Sequence, residues 1–264
     1  MEVAELASID WSAPWLSPIA EQGRTVAAAG DWRKSLNQAA EATHLRNASG
    51  QRITFAHEET AVDDEPYETR IARTGCVPTR ANLHDFFNAL IFLQFPQAKA
   101  QLNRLQSTAI ARDGVRAVRG PLRDAATLID ENSVLLVTER LDIVDSLSRR
   151  NWARLFQSQR AVWAAGVKVL AFGHALLEKL QRPYKGITAH ALHIALEPAS
   201  SMDAIDRCMA AGLDERLTPR DLLPLPVLGI PGWWAPNENP DFYSDAGVFR
   251  PAKMRPDRKA ETDS

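Results

Sequence analysis

Two cysteines, four methionines and three tyrosines are few for 264 residues, and each scarcity excludes something. Cys76 and Cys208 stand far apart and form neither a CxxC pair nor a multi-cysteine framework, which excludes a disulfide scaffold and points to a reducing compartment. Long apolar runs are also missing. The longest lies within Phe86–Phe95, well short of the ~20 residues that a spanning helix needs. A formal net charge of −2 supplies no global field for nucleic acid or an anionic membrane surface. The chain holds no Gly-rich phosphate loop, GxSxG elbow, HExxH string or protein-kinase set. Its opening, Met1-Glu2-Val3-Ala4-Glu5, is acidic with no apolar h-region after it, so no secretory signal is expected. These absences describe a cytoplasmic protein with no membrane segment and no strong nucleic-acid signal.

What is present is ordinary for a folded chain: 45% apolar and 24% charged residues, with enough length to bury a proper core. The most informative stretch is LHDFFNALIFLQF at 83–95, stopped by Pro96. Asn82 suits an N-cap, and Asp85 in the first turn suits the helix dipole. Apolar residues at almost every angular position predict a buried helix, with Phe86, Phe87, Leu90 and Ile91 in the core. Yet His84 and Asn88 share one face of it with Asp85 beside them, and buried polar groups need partners.

Elsewhere the pattern predicts a loop with one short helix over 9–30, a helix from Trp32 to about Leu45, and a strand at Arg52–His57. An acidic loop over 58–65 and a returning strand at Tyr67–Cys76 complete an expected hairpin. A helix follows Pro96, and a second hairpin is expected around Asp130-Glu131-Asn132-Ser133. Residues 140–164 read as helical in two pieces, 167–172 and 187–196 as strands, and 201–213 as a helix. From Leu222 the chain is rich in Pro and Gly yet carries residues able to pack on the body. The expectation is a single α+β domain over 1–252, of several helices packed with short, mostly antiparallel strands, followed by a charged, frayed tail at 253–264.

Five strings in order, LHDFFNALIFLQFPQAKAQLN at 83–103, RDAATLIDEN at 123–132, FGHALLEKL at 172–180, PYKGITAHA at 183–191 and PLPVLGIPGWW at 224–234, carry a resemblance. The chain resembles, over about residues 10–252, a bacterial family known as domain of unknown function 3025. The resemblance implies a soluble bacterial protein and supplies no assigned fold, activity or catalytic residue, so the candidates rest on chemistry.

Three groups stand out. His84 can act as acid or base, oriented by a carboxylate such as Asp85, with Asn88 holding substrate or water; equally, these three can satisfy local backbone at a helix start. Asp124, Asp130, Glu131 and Asn132 offer oxygen ligands for a divalent cation, or simply an exposed turn. His174 and Glu178, four apart on a helix, share a face, and His190 or His193 from the next strand could complete a metal set of two histidines and a carboxylate. Tyr184 and Lys185 add a phenol and an amine on a turn. Two functions follow. One is a hydrolase that uses His84, Asp85, Asn88, Glu131, Glu178, Lys185 and His190 for acid/base or metal-assisted chemistry. The other is a non-catalytic binding or assembly protein, with a homo-oligomer as one form, that works through its Trp-rich and Pro-rich surfaces.

Overall fold

Apolar residues recurring every three or four positions make most of this chain helical. The computed structural model describes residues 3–57, 65–114 and 120–252. Its first half runs α1 (Val3–Ala7), α2 (Ala20–Ala27), α3 (Trp32–Ala42), β1 (Thr54–Ala56), α4 (Tyr67–Thr74), β2 (Cys76–Pro78), α5 (Leu83–Gln94) and α6 (Pro96–Asp113). Its second half runs α7 (Pro121–Asn132), β3 (Ser133–Val137), α8 (Leu141–Ser148), α9 (Arg160–Gly166), β4 (Lys168–Ala171), α10 (His174–Lys179), β5 (Thr188–Ile194), α11 (Met202–Gly212) and β6 (Leu223–Pro226). The class is α+β, as the sequence predicts.

Strands β1 and β2 pair in parallel, and the other four form one sheet in the order β4-β3-β5-β6. Central β3 is antiparallel to β4 and parallel to β5, while β5 is antiparallel to β6. Every residue of β3 is buried, which suits its unbroken SVLLV run. Strand β6 carries Pro224 and Pro226, which have no N–H to donate, and it lies at an edge. The buried apolar side chains form one cluster on which α5 lies centrally, with Phe86, Phe87, Leu90 and Ile91 fully enclosed. Asn82 caps α5 as expected, its side-chain oxygen accepting the Asp85 N–H at 2.8 Å.

In each of two expected hairpins one arm is a strand and the other is a helix instead. Tyr67–Cys76 is not a returning strand: α4 spans Tyr67–Thr74 and ends on Gly75 in the left-handed conformation (φ 72°), where a Cβ would strike the Arg52 carbonyl oxygen. Residues 58–64 of the expected acidic loop lie outside the described residues, as does the expected tail at 253–264. The second hairpin fails because Pro121, at the first turn, starts α7 and buries Ala125, Ala126 and Ile129 on one face. Helix α7 then enters β3 with no intervening turn, so Asp130 and Glu131 occupy its last helical turn. The Trp-rich surfaces are also corrected. Trp15, Trp152, Trp163 and Trp233 are buried, and Trp11, Trp32 and Trp234 pack partly buried against the core. No helix among the described residues is long and apolar enough to cross a membrane, and Cys76 and Cys208 are free thiols.

Candidate metal centre

The sheet register builds the site. In the antiparallel pair β3/β4, Val134 faces Ala171, so the residues just before β3 and just after β4 meet at one end of the sheet. The N–H groups of Phe172 and Gly173 both donate to the Ser133 carbonyl, at 3.1 and 2.9 Å. Gly173 packs so closely there that a Cβ would sit 2.4 Å from the Ser133 nitrogen and 2.6 Å from the Glu131 carbonyl oxygen. This approach places His174, first residue of α10, beside Glu131 at the end of α7. Helix α5 packs against α10 and delivers His84 from its first turn.

Three donor atoms converge. His174 Nε2 lies 3.0 Å from His84 Nε2 and 3.4 Å from Glu131 Oε2, and His84 Nε2 lies 3.8 Å from Glu131 Oε2. These are the described residues whose ligand atoms group as a metal-ion site. The far nitrogen of His84, Nδ1, donates to Glu178 Oε2 at 3.1 Å, which leaves the Nε2 lone pair facing the centre. His174 can then donate its own Nε2 proton to His84. With the proton on Nδ1 instead, two lone pairs and a carboxylate face one point, as a cation requires. Burial pushes the His174 pKa down to about 3 against the opposing charge of Asp130, so the imidazole is neutral at physiological pH. Burial, followed by the charge of Asp130, raises the pKa of Glu131.

A cavity of about 440 Å³ opens beside these residues, a size suited to a small-molecule ligand. Its wall holds a polar network. Lys99 forms an ion pair with Asp130 and donates to Asn88 Oδ1 at 2.9 Å, and Asn88 donates to the Tyr67 hydroxyl at 3.0 Å. Burial opposes ionisation of Asp130, but the charge of Lys99 and its hydrogen bond outweigh it and hold the pKa below the ordinary value. Further along, Asn103 and Gln106 donate to Glu68 at 2.6 and 3.1 Å. Burial and the charge of Asp130 push the Glu68 carboxyl up to about 7.

Of the residues singled out in the sequence, His84, Glu131, His174 and Glu178 come together, and Asp85 and Asn88 line the same cavity. Asp85 is tied to Arg80, accepting from its backbone N–H at 2.6 Å and from its guanidinium at 3.0 and 3.1 Å. The expected metal set of His174, Glu178 and His190 is rearranged. Glu178 bonds to the outer nitrogen of His84, and His190, on β5 opposite Ser133, is not among the cavity-lining residues. Lys185 stands elsewhere, paired with Asp245 at 3.1 Å and lying 4.5 Å from the centroid of the Phe242 ring. A sequence reading by residue type passes over Lys99, Glu68 and Arg123. The signal for the first is on α6: Lys99, Asn103 and Gln106 recur at i, i+4 and i+7, a polar stripe on the buried face of the helix.

A family model described as protein of unknown function, DUF3025, matches residues 53–253. No curated protein and no solved structure matches the chain. The chain belongs to the DUF3025 family.

Proposed function

We propose that this protein is a metal-dependent hydrolase whose ion, zinc in the first instance, is held by His84, Glu131 and His174. One observation carries the reading: three donor atoms on three separate elements lie 3.0, 3.4 and 3.8 Å apart. Those separations bracket the ~3.3 Å edge of a tetrahedron built on ~2.05 Å zinc–ligand bonds. Two histidines and one carboxylate leave a fourth position for water, the ligand count of catalytic rather than structural zinc. A bound zinc ion supplies a water whose pKa falls to about 7 and a Lewis acid for the bond to be cleaved.

The chain's own groups support that chemistry. Glu178 holds the His84 tautomer through Nδ1, the outer-shell contact that fixes ligand orientation. Burial keeps His174 unprotonated and able to ligate. Lys99 neutralises Asp130, so the carboxylate next to Glu131 in sequence does not add an uncompensated charge. Glu68, with its carboxyl near 7, can give or take a proton at neutral pH from the cavity wall.

Elemental analysis of protein purified without chelator tests the reading. About one zinc per chain is expected in the parent, and little in His84→Ala or His174→Ala. Iron or manganese there would keep the site and change the reaction class. A parent that neither carries a metal nor takes up zinc on titration would overturn the proposal.

A further inference from the structure

The cations around the cavity are not all paired. Arg80 is matched by Asp85, and Lys99 by Asp130. Arg123, from the first turn of α7, also lines the cavity, and it has no ion pair among the described residues. Its Nε is buried and makes no hydrogen bond among them. Glu68 feels the charge of Arg123, but Glu68 takes its hydrogen bonds from two neutral amides, Asn103 at 2.6 Å and Gln106 at 3.1 Å. Burial also holds the Glu68 carboxyl near 7, so at neutral pH its charge cancels only part of the guanidinium's. A buried donor without an acceptor costs free energy until something supplies one.

We propose that the cavity takes a substrate bearing an oxyanion, a phosphate or a carboxylate group, and that Arg123 is the residue that holds it. The proposal rests on reading this cavity as the hydrolase's substrate pocket. A guanidinium presents a planar fork of N–H donors matched to two oxygens of such a group, and Nε is one tine of that fork. The His84–Glu131–His174 centre lines the same cavity, so a substrate anchored at Arg123 has its remaining bonds in the space that centre faces. Arg123 therefore sets specificity by recognising charge.

Isothermal titration of chelator-treated, metal-free protein with inorganic phosphate, and separately with benzoate, tests the proposal. Removing the metal keeps an ion from binding the anion on its own account. At least one of the two should bind the parent, and which one identifies the group. Arg123→Met should weaken that binding by about tenfold or more while zinc uptake stays at the parent level. If Arg123→Met fails to fold, Arg123→Lys keeps the charge and loses the fork; the same loss there supports the proposal. Absence of binding by the parent to either anion, or equal binding by parent and variant, overturns it. Failure of the hydrolase reading shows separately, as absence of zinc uptake by the parent.

Discussion

Gly173 and Glu131 touch through backbone alone: a Cβ on Gly173 would come within 2.6 Å of the Glu131 carbonyl oxygen. That contact is what lets the end of α7 and the start of α10 share one site. Gly173→Ala must push the two elements apart, because the obstructing atoms are backbone with no rotamer to yield. Overpacking of this kind costs on the order of 1–3 kcal/mol, and each kcal/mol lowers the melting temperature of a chain this size by about 2–4 °C. Zinc uptake should weaken by at least about tenfold, since ligands must be held to a few tenths of an ångström. Differential scanning calorimetry and a zinc competition titration check both arms. A variant that melts and binds like the parent would show that the contact is not needed.

Lys99 and Asp130 form a buried ion pair, with Lys99 also 4.3 Å from the centroid of the Phe92 ring. Lys99→Met leaves Asp130 enclosed without its partner, a change that costs on the order of 3–5 kcal/mol and lowers the melting temperature by about 10 °C. Replacing both residues, as Lys99→Met with Asp130→Leu, should recover most of the loss, because two apolar side chains need no partner. A single variant melting within about 2 °C of the parent would show the pair to be dispensable.

How much of this was legible depends on the range of the cause. Helix α5 was readable because its cap, its first-turn carboxylate and its apolar run are all local to residues 82–95. The same local logic misled at Tyr67–Cys76, where the stop signal was Gly75 and the helix is short enough to pass for an alternating strand. The chemistry of His84, Glu131, His174 and Glu178 was visible in their residue types, but their grouping was not. Glu131 and His174 meet only because Val134 pairs with Ala171, and that register is a long-range fact no window contains. Lys185 and His190 show the converse: a suitable side chain near a turn or on a strand says nothing about which cavity it faces.

Two large and opposed contributions to the pH dependence of stability in metal-free protein come from His174 and Glu68. His174 falls from 6.5 to about 3 on folding, so between those values the unfolded chain binds the extra proton and stability rises with pH. Glu68 rises from 4.5 to about 7, so there the folded chain holds the proton and stability falls as pH rises. Each slope reaches at most ~1.4 kcal/mol per pH unit, and solvent at the half-buried Glu68 trims its share. Between pH 4.5 and 6.5 the two largely cancel. Urea unfolding at pH 5 and 6.5 separates them: Glu68→Gln should become more stable with rising pH than the parent does, and His174→Gln less. Variants that both keep the parent's slope would refute the pair.

Glu178 makes the sharpest distinction between a metal centre and a polar surface patch. Its carboxylate accepts the Nδ1 proton of His84 at 3.1 Å, and its side chain is 45% exposed. An ion pair at that exposure contributes little to folding, typically below ~1 kcal/mol, so Glu178→Ala should leave the melting temperature of metal-free protein nearly unchanged. Its effect on zinc should be much larger. Without the carboxylate, nothing fixes the proton on Nδ1, and the His84 ring is free to present a protonated Nε2 to the centre. Losing such an outer-shell partner weakens metal binding by about 10- to 100-fold. Competition with a chromophoric chelator measures the zinc affinity, and a melt of the stripped protein measures the fold. Asp145→Ala, which removes a comparably exposed ion pair with Arg149 on α8, serves as the control and should alter neither. If Glu178→Ala binds zinc as tightly as the parent, His84 does not depend on this carboxylate. If it instead loses stability without metal, the contact is structural. The expected split, with affinity lost and the fold retained, is what an oriented histidine ligand produces and a surface ion pair does not.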